Sequence, residues 1–297
     1  MVHRIAVVVL VVLVAVMPYQ AAYSEEWAPM PPSLISYVTG SGADSVKHSL
    51  DLYRPRRRKD LPVLLFFHGG VWQMGDKEQY RNLGSAFARR GILTAVVNYR
   101  LTPAVRHPAH VRDAARAVAW AMRHAGEYGG RTDRVFLVGH SAGGHLVTLL
   151  LLDPQYLRAE SIDPDGLAGV VPLSGVFDLT KAMDDTPEGG AAVYVHPPFG
   201  TDRRTLEGAS PIKRLRKTPV PILVILAGED YRAMQGQSQR FVEAARQRGL
   251  SVGFEVIAGR GHFDLVQAIG KPGDRTSDLI SGFVLGPQTA AGAARSN

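Results

Sequence analysis

Cysteine is absent from all 297 residues. No disulfide can support the fold, no thiolate can hold a metal, and no cysteine-borne lipid can anchor the chain. Stability has to come from a buried core, which a chain of this length can supply. Long apolar runs are scarce too. The longest, from Ile5 to Met17, follows Met1-Val2-His3-Arg4 and falls short of the ~20 residues a bilayer span needs. It fits the apolar region of a signal peptide, with Ala22 and Ser24 as the small residues before a cleavage site after Ser24. Residues 1–24 are therefore expected to be a signal for export to a secreted or periplasmic location, an uncleaved membrane anchor being the alternative. There is no repeat, no low-complexity linker, and no set of His and Asp at metal-ligand spacing, so neither a metal nor another cofactor is expected.

Acidic residues are the minority, and the net charge is +7 with a pI near 9.7. Removing residues 1–24 takes away only Arg4 and leaves +6. The cations gather at Arg54, Arg56-Arg57-Arg58-Lys59 and Lys213-Arg214, Arg216-Lys217. Both clusters lie beside expected strands, where solvated turns account for them. No recognition motif accompanies the charge, so no nucleic-acid partner is expected. Peripheral attraction to an anionic envelope surface is the other reading of that charge.

What the chain does have is regular alternation of strand and helix. Strands are expected near Leu34–Val38, Lys47–Tyr53, Pro62–Phe67, Leu93–Asn98, Arg134–Gly139, Gly169–Leu173, Ile222–Ala227 and Val252–Ile257. The first two flank the turn-rich Thr39-Gly40-Ser41-Gly42-Ala43-Asp44, a hairpin signal. Later strands alternate with helices near Glu78–Arg90, Val111–Ala125, Gly143–Leu152, Ala233–Arg248 and Thr276–Phe283, which means parallel crossovers. The class is α/β, one domain over 25–285. Residues 174–215, long, Gly/Pro-rich and weakly periodic, read as a small cap segment; 286–297 read as a disordered tail.

The apolar run Val135-Phe136-Leu137-Val138 leads into Gly139-His140-Ser141-Ala142-Gly143. A serine attacks a carbonyl only if it stands clear at the end of a sheet, and the sharp turn that exposes it leaves no room for side chains two residues away. Such a serine needs a base, an orienting acid and donors for the developing oxyanion. His68-Gly69-Gly70-Val71-Trp72 follows an expected strand and can turn backbone N–H groups into a cleft, with the N–H of Ala142 as the second donor. Glu229-Asp230 ends another strand, and His262 follows the last. The order Ser141, Asp230, His262 is that of one large class of hydrolases. His68 reads as a brace for the Gly69-Gly70 loop, and His140 and His145 as packing residues. Trp72, Tyr231 and Phe263 are candidates for lining a substrate pocket; Asp178 is an alternative acid.

These pieces, with Val97-Asn98-Tyr99-Arg100-Leu101, Glu127-Tyr128-Gly129-Gly130 and Gly261-His262-Phe263-Asp264, resemble an α/β-hydrolase of the esterase/lipase type, near its hormone-sensitive-lipase and kynurenine formamidase branches. The resemblance covers about residues 60–285. It implies the α/β-hydrolase fold, an eight-stranded mostly parallel sheet flanked by helices. Within it, an acid followed seven residues later by Gln237-Ser238 resembles the formamidase branch and selects Asp230 over Glu229. Val71 stands where formamidases often have an aromatic. The implied activity is hydrolysis of small short-acyl carboxylic esters through an acyl-enzyme. An arylformamidase is the alternative. A non-catalytic ligand receptor is a third reading, and the presence of all three triad members speaks against it.

Overall fold

The computed structural model describes residue 30 and residues 32–56, 58–184 and 190–286. The expected signal segment and residues 287–297 of the expected tail lie outside the described residues, as does Arg57. All eight expected strands form: β1 (Ser33–Ser36), β2 (Ser49–Tyr53), β3 (Leu61–Phe67), β4 (Leu93–Val97), β5 (Gly130–His140), β6 (Gly169–Leu173), β7 (Ile222–Glu229) and β8 (Val252–Gly261). They make one sheet in the order β1-β2-β4-β3-β5-β6-β7-β8. β1–β2 and β2–β4 pair antiparallel, and every later pair is parallel.

Three strands run two or more residues beyond their sequence-based limits. β5 starts at Gly130 because Leu61 pairs with it, and β7 and β8 continue to Glu229 and Gly261, which pair with each other. Glycines that read as turns stay extended where a neighbour completes the ladder.

Helices α1 (Arg81–Arg89), α2 (Ala109–His124), α3 (Ala142–Leu152) and α4 (Gln155–Ala159) fill the first half. Among the described residues, the crossover from β6 to β7 holds four short helices, α5 (Leu179–Asp184), α6 (Gly190–Tyr194), α7 (His196–Phe199) and α8 (Arg203–Gly208). Then come α9 (Arg232–Gln247), α10 (Asp264–Gln267) and α11 (Arg275–Leu285). The expected helix from Glu78 opens instead as a 3-10 turn, Lys77–Tyr80, capped by the Asp76 carboxylate on the Glu78 N–H.

Alternation along β3 shows how the layers form. Val63, Leu65 and Phe67 join the core under α2, α3 and α9, while Leu64 and Phe66 join the one under α1, α10 and α11. With both faces covered, the central strands are continuous apolar runs. α3 is buried at every residue, so it is a central helix with no polar face. Among the described residues, no helix is long and apolar enough to cross a membrane.

Candidate active site

β5 delivers Ser141 into a turn with φ +54° and ψ −114°. A serine held in this sparsely populated region costs about 1–3 kcal/mol and persists only where the surroundings over-determine it. Those surroundings are tight. The Ser141 N–H donates to the Leu173 carbonyl (2.9 Å), and the Ser141 carbonyl accepts the His145 N–H (3.0 Å). A Cβ on Gly143 would stand 2.0 Å from the Phe67 carbonyl oxygen, so only glycine lets α3 start this close to β3. Ala142 is the first residue of α3, and its N–H has no intrahelical acceptor.

The Gly69-Gly70 loop lies directly against this turn. A Cβ on Gly69 would come 3.1 Å from the Ser141 Cβ and 2.9 Å from His140 Nδ1. Its shape is set by Gly70 at φ +114°, whose carbonyl accepts the N–H groups of Gln73 and Met74 at 2.9 Å each, and by Val71 and Trp72 in the left-handed region. Beneath the loop, His68 Nδ1 sits 2.8 Å from the Gly69 carbonyl, which can only accept, so Nδ1 carries the hydrogen. Burial lowers the His68 pKa to about 4 and keeps the ring neutral. The Tyr99 hydroxyl donates to the His68 carbonyl (2.9 Å), Tyr99 stacks on the His68 ring, and the Thr102 N–H holds the Trp72 carbonyl. Sequence reasoning gave Tyr99 no role; its signal was its place just after β4.

Asp230 and His262 come from neighbouring strand ends. Asp230 follows β7, His262 follows β8, and His262 Nδ1 lies 2.8 Å from Asp230 Oδ1. The same oxygen accepts the Tyr231 N–H at 2.8 Å. An acceptor-only carboxylate on Nδ1 leaves Nε2 of the neutral ring as the lone-pair nitrogen. Glu229 is exposed. Asp178 is occupied elsewhere: its Oδ1 accepts the Thr180 hydroxyl (2.6 Å) and the N–H groups of Thr180 and Lys181. Gln237 explains its spacing after Asp230 in physical terms. Its Oε1 accepts the N–H groups of both Phe177 and Asp178 at 2.9 Å, pinning the start of the β6–β7 crossover to α9.

The two histidines beside Ser141 are packed, and each also ties the site to something distant. His140 Nε2 is 2.9 Å from the His262 carbonyl, and His145 Nε2 is 2.8 Å from the Ala209 carbonyl at the end of α8. Burial lowers both pKa values to about 3, so both are neutral donors. Of the three candidate pocket residues, Trp72 is buried, edge-on to His145 and Phe199. Tyr231 and Phe263 are exposed and flank the His262 ring. Among the described residues, no group of three or more His, Cys, Asp or Glu could hold a metal ion.

This sheet order, with a serine elbow after β5 and an Asp–His pair after β7 and β8, defines an α/β-hydrolase. The BD-FAE family model matches residues 50–245, and the chain belongs to that family of α/β-hydrolase esterases. It is 34% identical over 245 residues to esterase LipC of Mycobacterium tuberculosis, covering 75% of this chain and 59% of that one. Kynurenine formamidase of Danio rerio is 26% identical over 228 residues, covering 74% of this chain and 72% of that one. In three dimensions the chain resembles butyrate-bound esterase 2 of Thermogutta terrifontis, with a TM-score of 0.70 at 23% identity, over 86% of this chain and 94% of that one. The chain spans about half to three fifths of the length of the curated esterases LipC, ICME of Arabidopsis thaliana and LipM, which it matches.

Proposed function

We propose that this chain is a serine carboxylesterase acting on small, short-acyl esters, with Ser141 as nucleophile, His262 as base and Asp230 as orienting acid. The observation that carries this reading is the His262–Asp230 pair at 2.8 Å, on the sheet end that also holds Ser141 in its left-handed turn. Ser141 Oγ bonds to the ester carbonyl carbon while its proton passes to His262 Nε2. The oxyanion is held by N–H groups of Gly69, Gly70 and Ala142. Collapse breaks the bond to the alcohol, which leaves with the proton from His262 and an acyl group on Ser141. Water then repeats the sequence in reverse, giving the acid and free Ser141. No metal or cofactor takes part in these steps.

Short acyl groups are favoured because the ring of Trp72 is packed against Phe199 of the cap and His145 of α3, filling space a long chain would need. The butyrate in the Thermogutta enzyme agrees with that size. The signal-like residues 1–24 support action after export. The second reading, hydrolysis of an N-formyl aryl amide, draws on the His68-Gly69-Gly70-Val71-Trp72 string and the formamidase relative.

An organophosphate should label Ser141 stoichiometrically. Ser141→Ala should keep the fold and lose about 10⁴–10⁶ in kcat on p-nitrophenyl acetate and butyrate. Labelling of another serine, or an active alanine variant, overturns the assignment. A higher kcat/KM on N-formylkynurenine than on acetyl or butyryl esters promotes the second reading, and a strong preference for long-chain emulsified lipid overturns the short-acyl one.

A further inference from the structure

Among the described residues, five of the eight exposed large apolar side chains, Met74, Val193, Tyr194, Tyr231 and Phe263, come from the Gly69-Gly70 loop, the β6–β7 crossover and the turns that carry Asp230 and His262, and the Gln73 amide bridges to the Val193 carbonyl at 2.8 Å. Two stand apart by what they touch. Tyr231, 60% exposed, and Phe263, 58% exposed, each have a ring centroid 5.3 Å from that of His262. Phe263 meets the imidazole edge-on at 88°, and Tyr231 is tilted at 45°.

Their backbone positions are fixed by the acid and base themselves. Tyr231 follows Asp230 and donates its N–H to the acid; Phe263 follows His262, and its peptide is held through the His140–His262 carbonyl contact. Phe263 also reaches the His140 ring at 6.3 Å. Two rings fixed beside the base and left open to water lose apolar contact that only a ligand can restore.

The chemistry decides which part of the ligand that is. In the acylation step His262 hands its proton to the leaving oxygen, so groups flanking the imidazole face the alcohol, not the acyl chain. We infer that Tyr231 and Phe263 form a leaving-group subsite, and that the preferred esters carry a flat, apolar aryl or arylmethyl alcohol. This rests on the reading of Ser141, Asp230 and His262 given above. It concerns only the alcohol side and leaves the short acyl preference as it stands. An N-formyl aryl amide also presents its ring on the leaving side.

The test is a matched set of ethyl acetate, benzyl acetate and ethyl phenylacetate. Ethyl and benzyl alcohols ionise alike, so intrinsic reactivity is nearly constant across the acetates. Wild-type protein should show a benzyl-over-ethyl preference in kcat/KM of about 10-fold or more, carried mainly by KM. Tyr231→Ala and Phe263→Ala should each reduce that ratio about 3- to 10-fold, and Tyr231→Phe should retain it. Binding of benzyl alcohol, read from the NMR shifts of the Tyr231 and Phe263 rings, checks the subsite without turnover. A ratio near one, a ratio that the alanine variants leave in place, an aryl preference that follows ethyl phenylacetate, or a rate that jumps only when substrate forms micelles overturns the subsite while leaving the esterase reading intact. Absence of both turnover and Ser141 labelling overturns the esterase reading and the leaving-group assignment with it, and turnover without benzyl alcohol binding at the two rings overturns the subsite alone.

Discussion

The two halves of this site are built in opposite ways. Around Ser141 the backbone is strained and enclosed: Gly143 has the Phe67 carbonyl where a Cβ would sit, Gly69 lies against the Ser141 side chain, and α3 is buried along its whole length. Around His262 the chain is open. Gly259, just before it, has φ +66° and free space where a Cβ would go, and Tyr231 and Phe263 face water. His262 is held by side-chain hydrogen bonds, its ring to Asp230 and its carbonyl to His140. Packing thus fixes Ser141 through main-chain contacts that few substitutions leave intact. On the other half, hydrogen bonds hold His262, and the rings beside it stay exposed. On the proposed reading, the first half sets where chemistry occurs and the second leaves room for choice of substrate.

The largest expected effect tests the hydrogen-bonded half. Asp230→Asn should lower kcat by about 10⁴, because the amide can no longer orient the imidazole and stabilise its charged form. Exposed Glu229, one residue away, should tolerate Gln within about threefold. Equal losses from the two changes would show that the Asp230–His262 contact does not govern the base. Next comes the packed half. Gly143→Ala forces β3 and α3 apart and should cost about 3 kcal/mol or more of stability, whereas Gly259→Ala should cost about 1–2 kcal/mol for its positive φ and keep activity. Urea unfolding and steady-state rates on both variants measure the contrast, and similar losses at the two glycines would erase it.

The same division explains what could be read from the sequence. Strands covered on both faces are continuous apolar runs, so β3 to β7 were visible as such, whereas β8 lies at the sheet edge, mostly half-exposed and interrupted by Glu255; the candidate site residues stood out because each follows an expected strand. The limits of β5, β7 and β8 were not visible, since Gly130 and Gly261 are extended only because Leu61 and Glu229 pair with them. Nor were the four described helices of the β6–β7 crossover, each of four to six residues, too short for periodicity to register and held by distant contacts such as Gln237 to Phe177 and His145 to Ala209. The tethers were hidden for the same reason. His140 and His262 are 122 residues apart, and Tyr99 is 31 from His68, so local pattern carries no trace of either bond.

Histidine burial ties acid stability to the enclosed half. Burial holds His140 and His145 at about 3, and His68, His107 and His110 at about 4, whereas an unfolded histidine titrates near 6.5. Above about pH 6.5 both states are neutral at these sites and nothing is lost. Below it the unfolded chain takes up protons that the native state refuses, so stability falls with pH, by up to about 1.4 kcal/mol per pH unit for each histidine, until about pH 3–4. The carboxylates held low, Asp44, Asp76 and Asp165, lie below the ordinary value of 3.8 and add their own loss only beneath that point. The interval from about pH 6.5 to 4.5 therefore isolates the histidines. Urea midpoints should drop steeply across it, and His145→Gln, which keeps a donor for the Ala209 carbonyl, should flatten the slope by about one proton. A midpoint that stays level down to pH 4.5 would mean that these rings gain protons without unfolding, and that the enclosed half is looser than its contacts imply.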